Sequence, residues 1–575
     1  MAPLLSRHRR LPALLAVLAL AAGSVFVAGG PIVAESARAD TAPTYPADPT
    51  TPVTVSADAL PAPQIDGVVW TQLVVGTTVY VGGQFTTARP AGAAPGVDTV
   101  RRSSLLAFDI TTGALKSAFA PMSNGVIYSI VGAADGKHLY VAGTFSKIGS
   151  VVKSRIAEID GTTGAVVGSF KVSVNNTVKA LARRGNTLFF GGQFSIASGQ
   201  PRQEIGALNA TTGALTSWAP RASGGVVTSL ALPPNGGKIV VGGAFTTLNG
   251  SSNPGYGLGA VDLATARTVP FHVDSIVRNG GKNSAITSLT ATPTGLYGTG
   301  YTFGSGGNFE GTFRADWNAG DLTWIEDCHG DTYDSAVVGG VVYTAGHAHF
   351  CGNIGGFPET SPRTSHRAIA FTAAPTQTVA TNQTFDKNYA DFGGKPAPSL
   401  LNWYPDLTPG TFTGLDQAAW SVVATSDYVV YGGEFTAVNG TPQQGLVRFA
   451  VPALAPNLLG PVSSGANFVP SVSSDSPGQA TVRWMSNADP DNATLTYEVL
   501  REGTVVSQLT ADSSIWRRPE LSFTDMGLVP GHSYAYRIRA TDPFGNHVLG
   551  DNVSVTIQTP PSASAAPSAA AAASH

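Results

Sequence analysis

Short apolar runs recur along most of this chain, each closed by a glycine-containing turn, and the runs fall into a repeating order. One phrase marks the repeat. It reads Tyr80-Val81-Gly82-Gly83-Gln84-Phe85, Tyr140-Val141-Ala142-Gly143-Thr144-Phe145, Phe190-Gly191-Gly192-Gln193-Phe194, Val241-Gly242-Gly243-Ala244-Phe245 and Tyr431-Gly432-Gly433-Glu434-Phe435. Two diverged copies lie between the fourth and the last, at 297–303 and 344–350. The seven phenylalanines stand at 85, 145, 194, 245, 303, 350 and 435, spaced by 47 to 60 residues except across the last gap. Around each phrase the pattern predicts four strands. An apolar strand such as Val126-Ile127-Tyr128-Ser129-Ile130 comes first, followed by a tight turn at Asp135-Gly136 or Asn235-Gly236, where positive φ is needed. The strand ending in Gly-Gly-x-Phe is second. A third strand (105–110, 156–160) runs into a turn at 109–113, repeated at 160–164 and 209–213, and a fourth (114–119) closes the unit.

Four antiparallel strands in about 50 residues make a propeller blade. One blade cannot bury both faces, and stacking blades around an axis buries them against each other. Paired glycines allow close backbone approach, and the phenylalanine can fill the space between blades. A β-helix, the alternative, usually has much shorter coils. The last repeat lacks its own fourth strand, so Val53-Thr54-Val55 is expected to supply it and close the ring. The expected fold is therefore all-β, a seven-bladed propeller over 40–451. These residues resemble the secreted actinobacterial proteins built from delta-60-type propeller repeats, across roughly 50–452. That resemblance implies architecture far more than activity.

A linker rich in proline, glycine and serine follows (452–462), and then a second pattern. Ala480-Thr481-Val482-Arg483-Trp484 is a strand with a core tryptophan. Residues 495–501 alternate as a strand with one buried face should. Residues 528–540 resemble the tyrosine-corner region of a fibronectin type III domain, with Tyr534 in the corner; the resemblance covers about 463–558 and implies a β-sandwich. An alanine, serine and proline tail (559–575) reads as disordered.

The N-terminus sets the compartment. Arg7, Arg9 and Arg10 precede an apolar stretch at 11–28, and Ala37-Arg38-Ala39 is a small-x-small cleavage site: a signal peptide over 1–39. A retained signal anchor is the alternative. No later stretch could span a bilayer, so no stable membrane insertion is expected after cleavage, and the mature protein is expected outside the cell as a monomer. The 575-residue chain is 43% hydrophobic but only 12% charged, carries 67 glycines and has a net charge of −3. No basic footprint exists for nucleic acid.

Motifs for nucleophilic hydrolysis, nucleotide binding and zinc proteolysis are absent. Chemistry concentrates in the sixth repeat. A two-residue turn at Gly339-Gly340 sets a hairpin register in which paired numbers sum to 679. Val338 then faces Val341 and Cys328 faces Cys351, at a Cα separation of about 4.5 to 5.5 Å, within disulfide reach. The same register puts His347 and His349 on the cysteine face and His329 and Asp331 on the other. All four can meet at one ion only if the strand bulges. His347, His349 and His366 are the set for a divalent metal, although a polar lining of a propeller mouth or ligand pocket explains the same residues and no cofactor is required. Among carboxylates, Glu310, Glu326, Asp327 and Asp331 come nearest to a cluster. Asp489-Pro490-Asp491-Asn492 resembles a calcium-friendly loop and reads first as a turn. Trp317, Trp324, Trp403 and Trp420 fall in the diverged repeats, where sugar rings could stack on them.

These features point first to an exported binding or scaffold protein for an extracellular glycan or protein ligand. Two alternatives stand beside it: an extracellular glycosidase acting on polysaccharide, which needs two suitably spaced acids, and a structural component of the cell envelope.

Overall fold

The computed structural model describes residues 51–381 and 389–561; the signal peptide read at 1–39 and the tail beyond 561 lie outside them. Strands dominate, and among the described residues there is no α-helix, only two short 3-10 turns. Among the described residues, seven antiparallel meander sheets follow one another. The first consists of Val68–Val75, Thr78–Gln84 and Leu105–Asp109. The other six open with Ile127–Gly132, Val178–Arg184, Val227–Ala231, Ser284–Thr292, Thr332–Val338 and Ala419–Ala424. Each opening strand touches the opening strand of the next sheet, and Ala419–Ala424 returns to touch Val68–Val75.

The apolar core follows this order. Its clusters straddle neighbouring sheets: Tyr140 and Phe170 of the second pack with Phe190 of the third, and Val69 and Phe108 of the first pack with Val430 and Leu446 of the seventh. Burial between sheets is what a three-stranded sheet, with two apolar faces, cannot achieve alone.

The recurring glycine pair has a divided role. A Cβ on its first member would strike the neighbouring sheet: 2.6 Å from Ile127 Cγ2 at Gly82, 2.4 Å from Val227 Cγ1 at Gly191 and 2.6 Å from Val69 Cγ1 at Gly432. A Cβ on the second would strike a carbonyl at or just before the start of its own opening strand: 2.1 Å from Val68 O at Gly83, 1.8 Å from Val126 O at Gly143 and 1.8 Å from Ala418 O at Gly433. Only the first glycine therefore serves approach between sheets.

Two expectations change. The fourth strand is full only in the fourth and fifth sheets, as Thr268–Val269 and Leu322–Ile325. In the first three it contracts to single bridges, Phe108 with Leu115, Ile159 with Val166 and Leu208 with Leu215. Short outer edges leave little unpaired backbone exposed. The preceding turn is tightened by its acid: Asp109 Oδ1 accepts from the N–H groups of Thr111 (3.0 Å) and Thr112 (3.2 Å). At the last sheet, the N-terminal segment does lie beside Leu446–Ala450, but through later residues than Val53-Thr54-Val55. Ser56 N–H donates to Ala450 O and Leu60 N–H to Arg448 O, both at 2.8 Å. Val55 and Ala57 are buried while Val53 is 71% exposed, so burial selects the register, and Pro61, lacking an N–H, limits the ladder.

Beyond residue 466 the strands form two further sheets. One joins Ser471–Ser473, Gln479–Met485 and Glu520–Met526; the other is built on Thr504–Asp512, Thr494–Arg501 and Ser533–Thr541. Trp484, Tyr497, Tyr536 and Ile538 fill their shared core. Tyr534 Oη accepts from Val529 N–H at 3.2 Å. In the loop at 489–492, Asp489 Oδ1 accepts from the N–H groups of Asp491 (3.1 Å) and Asn492 (3.0 Å), which is turn geometry. This part is tied to the ring of sheets by Ala57 N–H to Asp491 Oδ2 (2.6 Å) and Trp516 Nε1–H to Gly355 O (2.9 Å), and the linker before it by Leu458 N–H to Asp58 Oδ2 (2.6 Å).

Candidate ligand site at the channel mouth

Every opening strand carries the same irregularity. Its register slips by one residue near its start, between Val69 and Thr71, Ile127 and Ser129, Val178 and Ala180, Val227 and Ser229, Ile286 and Ser288, Thr332 and Asp334, and Ala419 and Ser421. Such a bulge leaves one residue unpaired and re-aims its side chain. The carbonyls that exclude a Cβ at Gly83, Gly143 and Gly433 belong to residues two positions before these unpaired ones, so the second glycine of the phrase makes room for the bulge. The bulged residues are Trp70, Tyr128, Lys179, Thr228, Thr287, Tyr333 and Trp420, and all seven line one cavity of about 970 Å³ running between the opening strands.

This ring of side chains is lopsided. Taken in order from the sixth sheet through the seventh, first and second, Tyr333, Trp420, Trp70 and Tyr128 form a continuous aromatic arc. Ring centroids lie 4.1 Å apart for Tyr333 and Trp420, 4.8 Å for Trp420 and Trp70, and 6.0 Å for Trp70 and Tyr128. Lys179 comes next, its Nζ 4.8 Å from the Tyr128 ring centre. The two threonines complete the ring and are occupied with the fold: Thr228 Oγ1–H donates to Ile286 O (2.5 Å) and Thr287 Oγ1–H to Thr332 O (2.7 Å), each on the next sheet. Trp420 is held from behind. Its Nε1–H donates to Glu434 Oε1 (3.0 Å), and that buried carboxylate also accepts from Thr413 N–H (2.8 Å) and Oγ1–H (2.5 Å).

Asp331 and His347 sit beside the arc. Tyr333 Oη–H donates to Asp331 Oδ2 (3.1 Å), and His347 Nδ1 lies 3.0 Å from Gln417 Oε1. Burial raises the Asp331 carboxyl above its ordinary range and lowers the His347 imidazole, so both are held toward their neutral forms against their mutual attraction. Asp334, the other acid lining the cavity, accepts from Ser288 Oγ–H (2.7 Å), Ser335 N–H (2.9 Å) and Val422 N–H (3.0 Å), and burial brings it to about 6.

The histidine grouping is therefore not the one read from a regular register. Thr332 faces Gly346, a sum of 678, before His329 faces Phe350 and restores 679. The bulge at Tyr333 brings Asp331 to His347. His329 and His349 pair elsewhere, their rings 6.4 Å apart, with His349 Nδ1 3.6 Å from Glu359 Oε1 and His329 stacked on Tyr389. His366 packs on Phe357 and Tyr404, and burial lowers both His349 and His366 to about 4. Among the described residues no group of three or more His, Cys, Asp or Glu is placed to hold a metal ion. Of the four carboxylates, Glu326 accepts from Thr312 N–H and Cys328 N–H (2.6 Å each), Asp327 accepts from Asn353 Nδ2–H (2.9 Å), and Glu310 Oε2 accepts from Gly330 N–H (2.8 Å), next to Asp331 in the chain.

Cys328 and Cys351 form a disulfide across this hairpin, with Cα atoms 4.3 Å apart. Opening it with Cys328→Ser and Cys351→Ser is expected to remove about 3 kcal/mol of stability, the entropy of a short closed loop. Denaturant melts of the double variant against the unreduced parent check this; coincident curves would contradict it.

Of the four tryptophans singled out for sugar stacking, only Trp420 lines the cavity. Trp324 and Trp403 are fully buried and present no face to a ligand; Trp403 packs on Tyr343, Tyr431 and Phe449. Trp317 is half-buried, its Nε1–H bonded to Thr292 O (2.8 Å). Trp70, Tyr128, Lys179 and Tyr333 were hidden by the sequence's regularity. Aligning the first strands would expose them, since Trp70, Tyr128 and Lys179 are each the middle residue of a short apolar-x-small triplet such as Val69-Trp70-Thr71, and Tyr333 holds the matching position in the diverged Thr332-Tyr333-Asp334.

Strand content, the repeat and the sheet-to-sheet packing define a β-propeller repeat protein. In agreement, a family model described as a "Domain of unknown function (DUF5122) beta-propeller" matches residues 237–255, which span one copy of the glycine phrase. No curated protein matches the chain. No helix among the described residues is long and apolar enough to cross a membrane, and the disulfide is compatible with an extracellular protein.

Proposed function

We propose that this is an exported, seven-bladed propeller with a fibronectin type III-like C-terminal module, and that it binds an extracellular glycan at the channel mouth. The arc Tyr333–Trp420–Trp70–Tyr128 carries the reading: four adjacent aromatic side chains, at positions where the other sheets place lysine or threonine, line a cavity large enough for an oligosaccharide. Aromatic platforms with a few fixed polar groups are how concave sites hold polyhydroxylated rings. The ring of seven sheets and the Tyr534–Val529 hydrogen bond support the two domain assignments.

Hydrolysis is the second reading, because Asp331 is a cavity acid with a raised pKa beside Tyr333. Asp334, the second acid lining the cavity, has both oxygens already engaged, whereas glycoside hydrolysis uses two carboxyl groups. A glycan array run with a polysaccharide-hydrolysis screen on the mature protein separates the two. Saturable binding without released reducing ends is expected. Turnover lost in Asp331→Asn would replace the binding reading with the hydrolytic one, and silence in both assays would remove glycan as the ligand.

A further inference from the structure

Lys179 sets the site apart from a neutral aromatic platform. It is the only basic side chain among those lining the cavity. Its Nζ makes no hydrogen bond or ion pair with any described residue; its partner is the face of Tyr128. The pKa of the ammonium is lowered, and burial alone accounts for this, with no carboxylate near enough to oppose it. The neighbouring basic residues of that strand are committed: Arg183 donates to the carbonyls of Gly132 and Gly185, and Arg184 to those of Gly236 and Pro233. The third sheet thus uses its bulge to hold one unneutralised cation at the end of the aromatic arc, where a partly desolvated charge gains most from an anion.

A single ammonium matches a single carboxylate. Phosphate and sulfate esters are usually met by several charged donors, as in arginine forks, and no arginine lines this cavity. Across the mouth, burial keeps Asp331 toward its neutral form, able to exchange hydrogen bonds with sugar hydroxyls. Resting on the glycan reading above, we propose that the mouth recognises an acidic sugar, a hexuronate residue whose carboxylate pairs with Lys179 while its ring lies against Tyr128 and Trp70.

The test uses the full-length mature protein and matched probes: trimers of galacturonate and mannuronate and a glucuronate-containing hyaluronan tetrasaccharide, each beside its carboxyl-reduced, neutral counterpart. Calorimetric titration at low salt is expected to show one acidic probe bound about tenfold or more tighter than its neutral form, the scale of one charge-assisted hydrogen bond. That preference, the ratio of acidic to neutral affinity within each variant, should shrink as salt rises, collapse to about one in Lys179→Met and survive in part in Lys179→Arg. Equal affinity for acidic and neutral forms in the parent, or a preference that outlives Lys179→Met in a variant with an unchanged melting curve, overturns the proposal and leaves the glycan reading standing. Binding of neither form overturns both. The salt series on the parent is independent of how the variants fold.

Discussion

Gly433→Ala is expected to destabilise the protein by about 3 kcal/mol or more, the scale of backbone overpacking in a core. The added methyl would stand 1.8 Å from the carbonyl oxygen of Ala418, and the atoms it meets next are backbone too, Ala418 C and Ala419 Cα, both at 2.8 Å. No rotamer can yield, so the strand or its partner must move. Movement there disturbs the bulge that presents Trp420 and the contact by which the seventh sheet meets the first, where Gly432 faces Val69. Gly132→Ala is the control. It lies in the opening strand of the second sheet with nothing within 4 Å of its would-be Cβ, so its cost is expected to stay within about 0.5 kcal/mol. Urea melts followed by near-ultraviolet circular dichroism compare the two. Equal midpoints would mean that the glycine phrase records composition rather than a steric demand.

That phrase also shows what could be read from the chain and what could not. Period, strand order and turn chemistry are local, and local periodicity survives in sequence: the apolar strands, the acid of the 109–113 turn and the cysteine pairing all follow from neighbours along the chain. The site does not. A bulge costs one residue of register and leaves no mark in an alternating pattern, so the regular hairpin reading placed Asp331 and His347 on opposite faces when the slip at Tyr333 brings them together. Burial misled in the same way. Trp324, Trp403 and Trp420 look alike in sequence, and only the sheet geometry separates two core residues from one that lines the channel. The ring of bulged side chains becomes visible once seven repeats are laid over one another, because its meaning lies in which side chain each sheet places at a shared position.

Trp420→Ala is expected to weaken glycan binding by one to two orders of magnitude, about 2 kcal/mol, with Trp70→Ala close behind; aromatic anchors at the centre of a site commonly carry this much. Trp420 is central in the arc, 4.1 Å from Tyr333 and 4.8 Å from Trp70, so its loss divides one platform into two. Trp420→Phe retains a ring to stack on and should recover much of the affinity. Glu434 tests whether orientation matters as well as presence. Glu434→Gln keeps an oxygen acceptor for Trp420 Nε1–H and should bind nearly as the parent does, whereas Glu434→Ala frees the indole and the Thr413 backbone together and should bind less tightly. Trp516→Phe, at the contact with Gly355 and away from the cavity, should leave affinity unchanged. Calorimetry on each variant, with melting curves to confirm folding, decides the matter. A folded Trp70→Ala, Trp420→Ala double variant that binds like the parent would place the ligand elsewhere on the protein, because no aromatic pair would then remain at the centre of the arc to hold a sugar ring.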